Sequence, residues 1–252
     1  MKKTKNTITF FLCFICGMLI SSYSLSSPVI GIGSMYDILN PDSKNITKRV
    51  YNTGTSTAFV RVDVLEITPG DKGISIESSQ KTINGNKLEK DRLIVSPLRL
   101  IIPPSGFQSV RMIWPGEREK ERYFRVRFTP VLPQENDGFE MNKDAIEKYK
   151  KEALDVGVNV LTGYGSIVIV QPRDPIFNTV INKSNGHIKV INDGNATIVL
   201  EDIRYCNLNS IDCDISTRQF ILPGKTFNLE NKSESKISFT LVEGSKKKLL
   251  NY

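Results

Sequence analysis

The side chains best suited to chemistry are few and scattered. Cys206 and Cys213 flank the polar loop NLNSID, and His187 is the one histidine of the chain. Two thiols and a distant imidazole do not complete a four-ligand zinc site. His187, in SNGHIKVIN, reads as a surface or edge residue. Asp63 and Glu66 fall on opposite faces of one strand, so they cannot work as an acid–base pair. GIG (31–33) precedes no helix and lacks the third glycine of a phosphate loop. These residues give no catalytic, cofactor-binding or metal site, and the chain reads as a non-enzyme without cofactors.

Cations set among apolar residues are the more informative feature. In NITKRVYN (45–52), a strand puts Ile46, Lys48 and Val50 on one face and Thr47, Arg49 and Tyr51 on the other. Lys48 therefore stands in a core-facing row. Either it lies at a strand end and snorkels to water, or a cleft opens there and it receives an anion. RYFRVRFTPV (122–131) repeats the theme. Arg122 is in line with Phe124 and Val126, while Arg125 and Arg127 project from the opposite, solvated face.

Positioning these residues falls to a β framework. Short alternating or β-branched runs recur at 45–52, 57–67, 92–97, 98–104, 109–114, 122–131, 165–172, 186–193, 196–206, 218–224 and 236–244. Gly, Pro and Asn punctuate them at a spacing near ten residues, which predicts an all-β fold of sandwiches. Only 144–156 (DAIEKYKKEALDV) has a helical pattern, and its surface is almost all charge, so a mobile loop with nascent helix fits it equally. At 252 residues the chain accommodates two sandwiches. The seam is placed at QPRDP (171–175), where Pro172 and Pro175 stiffen the chain. No repeat with a period of 20–50 residues is present.

The N-terminus is read separately. Lys2, Lys3 and Lys5 precede the apolar run Thr9 to Ile20 and the small residues SSYSLSS. This is a secretory signal peptide, with cleavage expected near Ser24 or Ser26, rather than a membrane anchor. The expected organisation is 1–26 signal peptide, 27–172 first sandwich and 173–252 second. Export removes Cys13 and Cys16 and leaves Cys206 and Cys213 in an oxidising compartment, which predicts a disulfide. The formal charge of +7, minus the three leader lysines, becomes +4. That is too little, and too dispersed, to argue for nucleic acid.

The segment 96–131, SPLRLIIPPSGFQSVRMIWPGEREKERYFRVRFTPV, resembles the proline–proline and Tyr-Phe-Arg-Val pattern of periplasmic pilus chaperones of the chaperone–usher pathway. PGEREKERYFRV, GSIVIVQPR, NDGNATI and the second-half cysteine pair are similar to the alternative branch serving the Escherichia coli common pilus. The likeness runs from about Ile32 to Phe227, with gaps at 68–90 and 132–155.

The resemblance implies two immunoglobulin-like domains in a boomerang, a periplasmic location and no enzymatic activity. The implied partners are pilus subunits (pilin and tip adhesin) and an outer-membrane usher, without membrane insertion and with at most weak self-association. The mechanism it implies is strand addition, in which the chaperone lends a strand to a pilin that lacks one. On that basis the donor strand spans roughly Val156 to Val170. Val156, Val158, Val160, Thr162 and Tyr164 would face the pilin, while Leu161, Gly163, Gly165, Ile167 and Ile169 would pack on the chaperone's own core. Ordinary core of the first sandwich is the alternative for the valines. The charged segment 133–155 would be a loop that orders on binding. Main-branch chaperones hold the pilin's terminal carboxylate with an arginine on the first strand and a lysine on the donor strand. Neither is present here: VIGIGSMYDIL (29–39) has no basic residue, and the lysine position falls near Ile167. Lys48, Arg49 and Arg173 are the substitutes, and charge reversal at Lys48 is expected to abolish capture while leaving the fold intact.

A secreted pilus subunit or adhesin is the competing reading. Such a protein needs an N-terminal arm of large alternating apolar residues, and SSPVIGIGSM offers only Val29, Ile30 and Ile32. A jelly-roll carbohydrate hydrolase ranks third, since it needs a paired-carboxylate cleft.

Overall fold

The computed structural model describes residues 27–70, 75–80, 92–154, 161–184, 186–207, 213–230 and 235–252. The expected signal peptide lies outside them. Within them the chain forms 17 strands and one helix. No described helix is long and apolar enough to cross a membrane.

The first half builds two facing sheets. One has the order β1-β3-β8-β6, from Ile30–Gly31, Asn45–Asn52, Phe107–Ile113 and Ile94–Ser96. The other has the order β2-β10-β9-β4-β5, from Tyr36–Leu39, Tyr164–Val170, Arg122–Pro130, Ala58–Pro69 and Ser75–Ser79, with β7 (Arg99–Ile102) also on β4. Alternation explains the packing. Val60 and Val62 of β4, Phe124, Val126 and Phe128 of β9, and Val110 and Met112 of β8 all turn inward into one core.

The second half repeats the design with β11-β12-β15 (Thr179–Ser184, His187–Asn192, Thr226–Glu230) and β14-β13-β16-β17 (Thr217–Ile221, Ile198–Asn207, Ser235–Glu243, Lys246–Asn251). Its separate core includes Ile188, Val190, Leu200, Phe239 and Leu241. A disulfide joins Cys206 to Cys213 at the end of β13, as expected from the exported pair. His187 is exposed at the start of β12.

One turn recurs in both halves. Asn52 and Asn192 are buried, and each folds its side chain back over the turn that follows it. Asn52 Nδ2 donates to Ser56 O (2.8 Å) and Ile102 O (3.0 Å), and its Oδ1 accepts from Gly54 N (3.1 Å). Asn192 Nδ2 donates to Ala196 O (2.9 Å) and Ile221 O (2.8 Å), and its Oδ1 accepts from Gly194 N (3.0 Å). Glycine is required in both copies. A Cβ would stand 2.2 Å from Ser27 O at position 54 and 2.1 Å from Ile176 O at position 194. NTGTST and NDGNAT are thus the same structural device, used once per sandwich.

The charged segment before β10 carries a helix, the first of the two readings of 144–156. Helix α1 spans Lys143–Leu154, and Asn142 Oδ1 caps it by accepting from Ala145 N at 2.8 Å. Ile146 and Phe139 are buried. The Phe59 ring meets Phe139 at 5.3 Å and Tyr149 at 4.8 Å, both edge-on. Tyr149 OH donates to Thr57 O at 2.7 Å. Three apolar anchors in a charged stretch suffice to dock the helix on β4.

Candidate partner-binding site

Strand β10 is antiparallel to β9 from Tyr164↔Phe128 to Val170↔Arg122. Its other edge is covered only in part, because β2 pairs parallel with it from Ile167↔Tyr36 to Val170↔Leu39. Ile167 N donates to Met35 O (2.8 Å) and Gln171 N to Leu39 O (3.1 Å). By the strand period of two, the N–H of Gly165 points to the same edge, upstream of where β2 begins. Among the described residues the sheet is therefore open at Tyr164–Ser166, with a ladder available to another strand.

The faces of β10 differ from expectation. Tyr164 packs on the first core, Ser166 and Val168 are fully buried, and Val170 is buried among the same residues. Ile167 and Ile169 point the other way and join Ile38, Ile67, Tyr123, Phe220 and Leu222. The isoleucines therefore face the second sandwich, and the even-numbered residues face home. Phe124, Val126 and Phe128 on β9 impose this, since register locks their inward side to that of Val168, Ser166 and Tyr164. Thr162 is exposed and precedes the strand, while Val156, Val158 and Val160 lie outside the described residues.

Lys48 does receive an anion, but from its own chain. It is 5% exposed, which removes the snorkelling alternative. Its Nζ lies 2.9 Å from Asp37 Oδ2 and donates to Asp37 Oδ1 (3.2 Å), Ser34 O (2.7 Å) and Ile32 O (3.2 Å). All three ammonium protons are used. Burial pushes the Asp37 carboxyl up, against the hydrogen bond and charge of Lys48. Lys48 thus fixes residues 32–37, the crossover that carries the chain from β1 to β2. Because β2 covers β10 only from Ile167 onward, this buried pair helps set where the open edge ends. Charge reversal at Lys48 would place two carboxylates in one buried site, so the expectation of an intact fold is corrected.

Arg49 is exposed, with its guanidinium 5.0 Å from the Phe107 ring centre. Arg173 is exposed at the seam and pairs with Glu117 at 2.6 Å. The structure does not gather Lys48, Arg49 and Arg173 into one anchor.

A cavity of about 300 Å³ lies between the sandwiches, lined by Tyr36, Ile67, Ile167, Ile169, Phe220 and Leu222 among others. Tyr36 and Phe220 stack across it with ring centres 4.0 Å apart. Its cationic lining residues are Arg125 and Arg218. Arg125 is held by Glu77, whose carboxyl it keeps below the ordinary range, and Arg218 by Glu201 at 3.1 Å. The alternation of β9 places Arg125 on a solvated face, yet it lines the cleft. Sequence reading gives no role to Arg218 or Phe220, whose strand position carries no signal of a facing domain. Beside the cleft, Glu121 is buried and accepts from Tyr123 OH (2.6 Å), Thr197 N (2.7 Å) and Thr197 Oγ1. Burial raises the Glu121 carboxyl, opposed by these hydrogen bonds. Among the described residues there is no group of three side chains able to hold a metal.

Comparison with solved structures places this architecture. The class 5 fimbriae chaperone CfaA superposes with a TM-score of 0.52 over 88% of this chain and 98% of its own, at 20% identity. The chain has the two-domain fold of a fimbrial chaperone. The periplasmic chaperone SfaE (TM-score 0.50, 9% identity, 88% of this chain and 98% of its own) and the E. coli chaperone DraB (0.50, 12%, 90% and 97%) share that fold. By sequence, the chain is 26% identical to a CS1 fimbrial subunit of Escherichia coli over 186 residues, 71% of each protein. It is also 26% identical to a CFA/I fimbrial subunit of Escherichia coli over 189 residues, 73% of this chain and 66% of that one. No family model matches the chain.

Proposed function

We propose that this protein is a periplasmic, non-enzymatic chaperone that binds pilus subunits by adding a strand to them and passes them to an outer-membrane usher. The observation that carries the reading is the edge of β10. Among the described residues it is open upstream of Ile167, beside an apolar cleft, in a fold shared with fimbrial chaperones. Backbone pairing along Tyr164–Ser166 and the residues before it supplies a general ladder, and side chains at a period of two supply selectivity. On this reading the donor strand runs from roughly Val156 to Val170, with the part upstream of Ile167 lent to the pilin, and the seam falls at 172/173. The anchor for a pilin's terminal carboxylate moves to Arg125 and Arg218, which line the cleft where Lys48, Arg49 and Arg173 do not. An incoming carboxylate would compete there with Glu77 and Glu201.

The test is periplasmic co-expression with a pilin that lacks its last strand. A one-to-one complex that protects the pilin from proteolysis supports the proposal. The names of the two sequence relatives favour a second reading, that of a fimbrial structural protein. Such a protein would polymerise with pilins rather than stop at one to one.

A further inference from the structure

Another cavity, of about 470 Å³, opens at the seam and shares no lining residue with the cleft. Its volume falls within the range of roughly 300–1,000 Å³ common to small-ligand sites. Asn40, Asp42 and Gln171 line it from the first sandwich, and Phe177, Glu243 and Lys246 from the second. Both walls are held by contacts of their own. Arg118 donates to Asn40 O (2.6 Å) and Ser43 O (2.5 Å), which fixes the turn that carries Asp42. On the other side Gly244 has a φ of +60°, and a Cβ there would stand 3.0 Å from the Phe177 ring. The hairpin tip between β16 and β17 therefore closes directly on that ring.

Gln171 is the informative residue. It is 2% exposed and continues the row of Ile167 and Ile169 that faces the second sandwich. Its side-chain amide makes no hydrogen bond among the described residues, whereas a polar group so deeply buried ordinarily has a partner. Asp42 and Glu243 stand in no ion pair among the described residues. Thr179 Oγ1 donates to Glu243 Oε1 at 2.6 Å, which orients that carboxylate and leaves Oε2 for a ligand. The lining is thus rich in acceptors beside an aromatic face. Lys246 is exposed, so its ammonium can turn to water.

We propose that this cavity binds a guanidinium group, stacked on Phe177, with Asp42 and Glu243 as charge partners and the Gln171 amide oxygen as a further acceptor. A guanidinium is planar and carries five donors, which suits this set better than the compact three-donor ammonium. It can come from a free guanidino compound or from an arginine side chain of a partner polypeptide. Because both sandwiches contribute to the lining, the ligand also restrains the angle between them. The inference does not depend on what β10 binds.

The probes are arginine amide, its neutral isostere citrulline amide and the peptide Gly-Gly-Arg-Gly-Gly, titrated by calorimetry into the full mature chain. Arginine amide should bind and citrulline amide should not, and binding should weaken as salt is raised. Small-angle scattering should show a narrower distribution of interdomain angles with arginine amide bound. Gln171→Leu and Asp42→Asn/Glu243→Gln should each weaken binding about tenfold or more. The thermal midpoint of Gln171→Leu should not fall, because the amide it removes has no partner to lose. Equal affinity for peptide and arginine amide supports the proposal with a free guanidino compound as ligand. Peptide binding about tenfold tighter supports it with a partner's arginine. No binding to wild type, unchanged binding in both variants, or citrulline amide bound as tightly as arginine amide overturns it.

Discussion

Glu121 Oε2 accepts a hydrogen bond from the Thr197 amide at 2.7 Å, so a carboxylate of the first sandwich grips the asparagine turn of the second. The other copy of that turn is capped from within its own half, where Tyr149 OH donates to Thr57 O. One device therefore has two uses: in the first half it seats the helix, and in the second it ties the two sandwiches together.

Glu121→Ala should cost about 1–3 kcal/mol, because the Thr197 amide would be left buried without an acceptor. Urea unfolding measures the loss, and small-angle scattering should show a wider distribution of interdomain angles. Glu121→Gln keeps one acceptor and should lose less.

The same carboxylate gives a pH signature. Its folded value lies above the ordinary 4.5, so the folded chain binds this proton more tightly than the unfolded one. Its contribution to stability is fully present below 4.5 and declines as pH rises through the raised value. In Glu121→Gln, thermal midpoints measured from about pH 4 to 7 should lose this downward component.

Lys48→Met leaves Asp37 buried without its partner and should cost about 3–5 kcal/mol. Removing both charges in Lys48→Met/Asp37→Leu should restore much of it. A double-mutant cycle by denaturant titration gives the coupling. Hydrogen exchange should show β2 loosening in the single variant, with the amides of Ile167 and Gln171 losing protection.

Much of the β framework was legible because alternation in runs such as NITKRVYN is imposed by burial on one face. The same alternation exposed Lys48 as anomalous, yet its partner was not readable. Asp37 sits in YDIL, too short for a pattern, and meets Lys48 only through a crossover between sheets. The inward side of β10 is not readable from the parity of the valines before it, because the register with β9 fixes it. The sequence does not decide between helix and loop here, because Ile146 and Tyr149 are a sparse stripe under many charges and their acceptor site beside β4 is remote in sequence. Glu121 and Thr197 both lie in motifs that carried the resemblance, but no local rule says that those motifs touch.

Cys206→Ser/Cys213→Ser should lower stability by about 2.5 kcal/mol, the chain-entropy value for so short a loop. The loss should fall on the second sandwich, while the first keeps its exchange protection.

The most direct measurement is amide hydrogen exchange at Gly165 in the free chain and in complex with a pilin lacking its last strand. The free chain should exchange this proton rapidly, since β2 stops short of it, and the complex should protect it strongly. A stable complex in which the Gly165 amide exchanges as fast as in the free chain would contradict strand addition at β10.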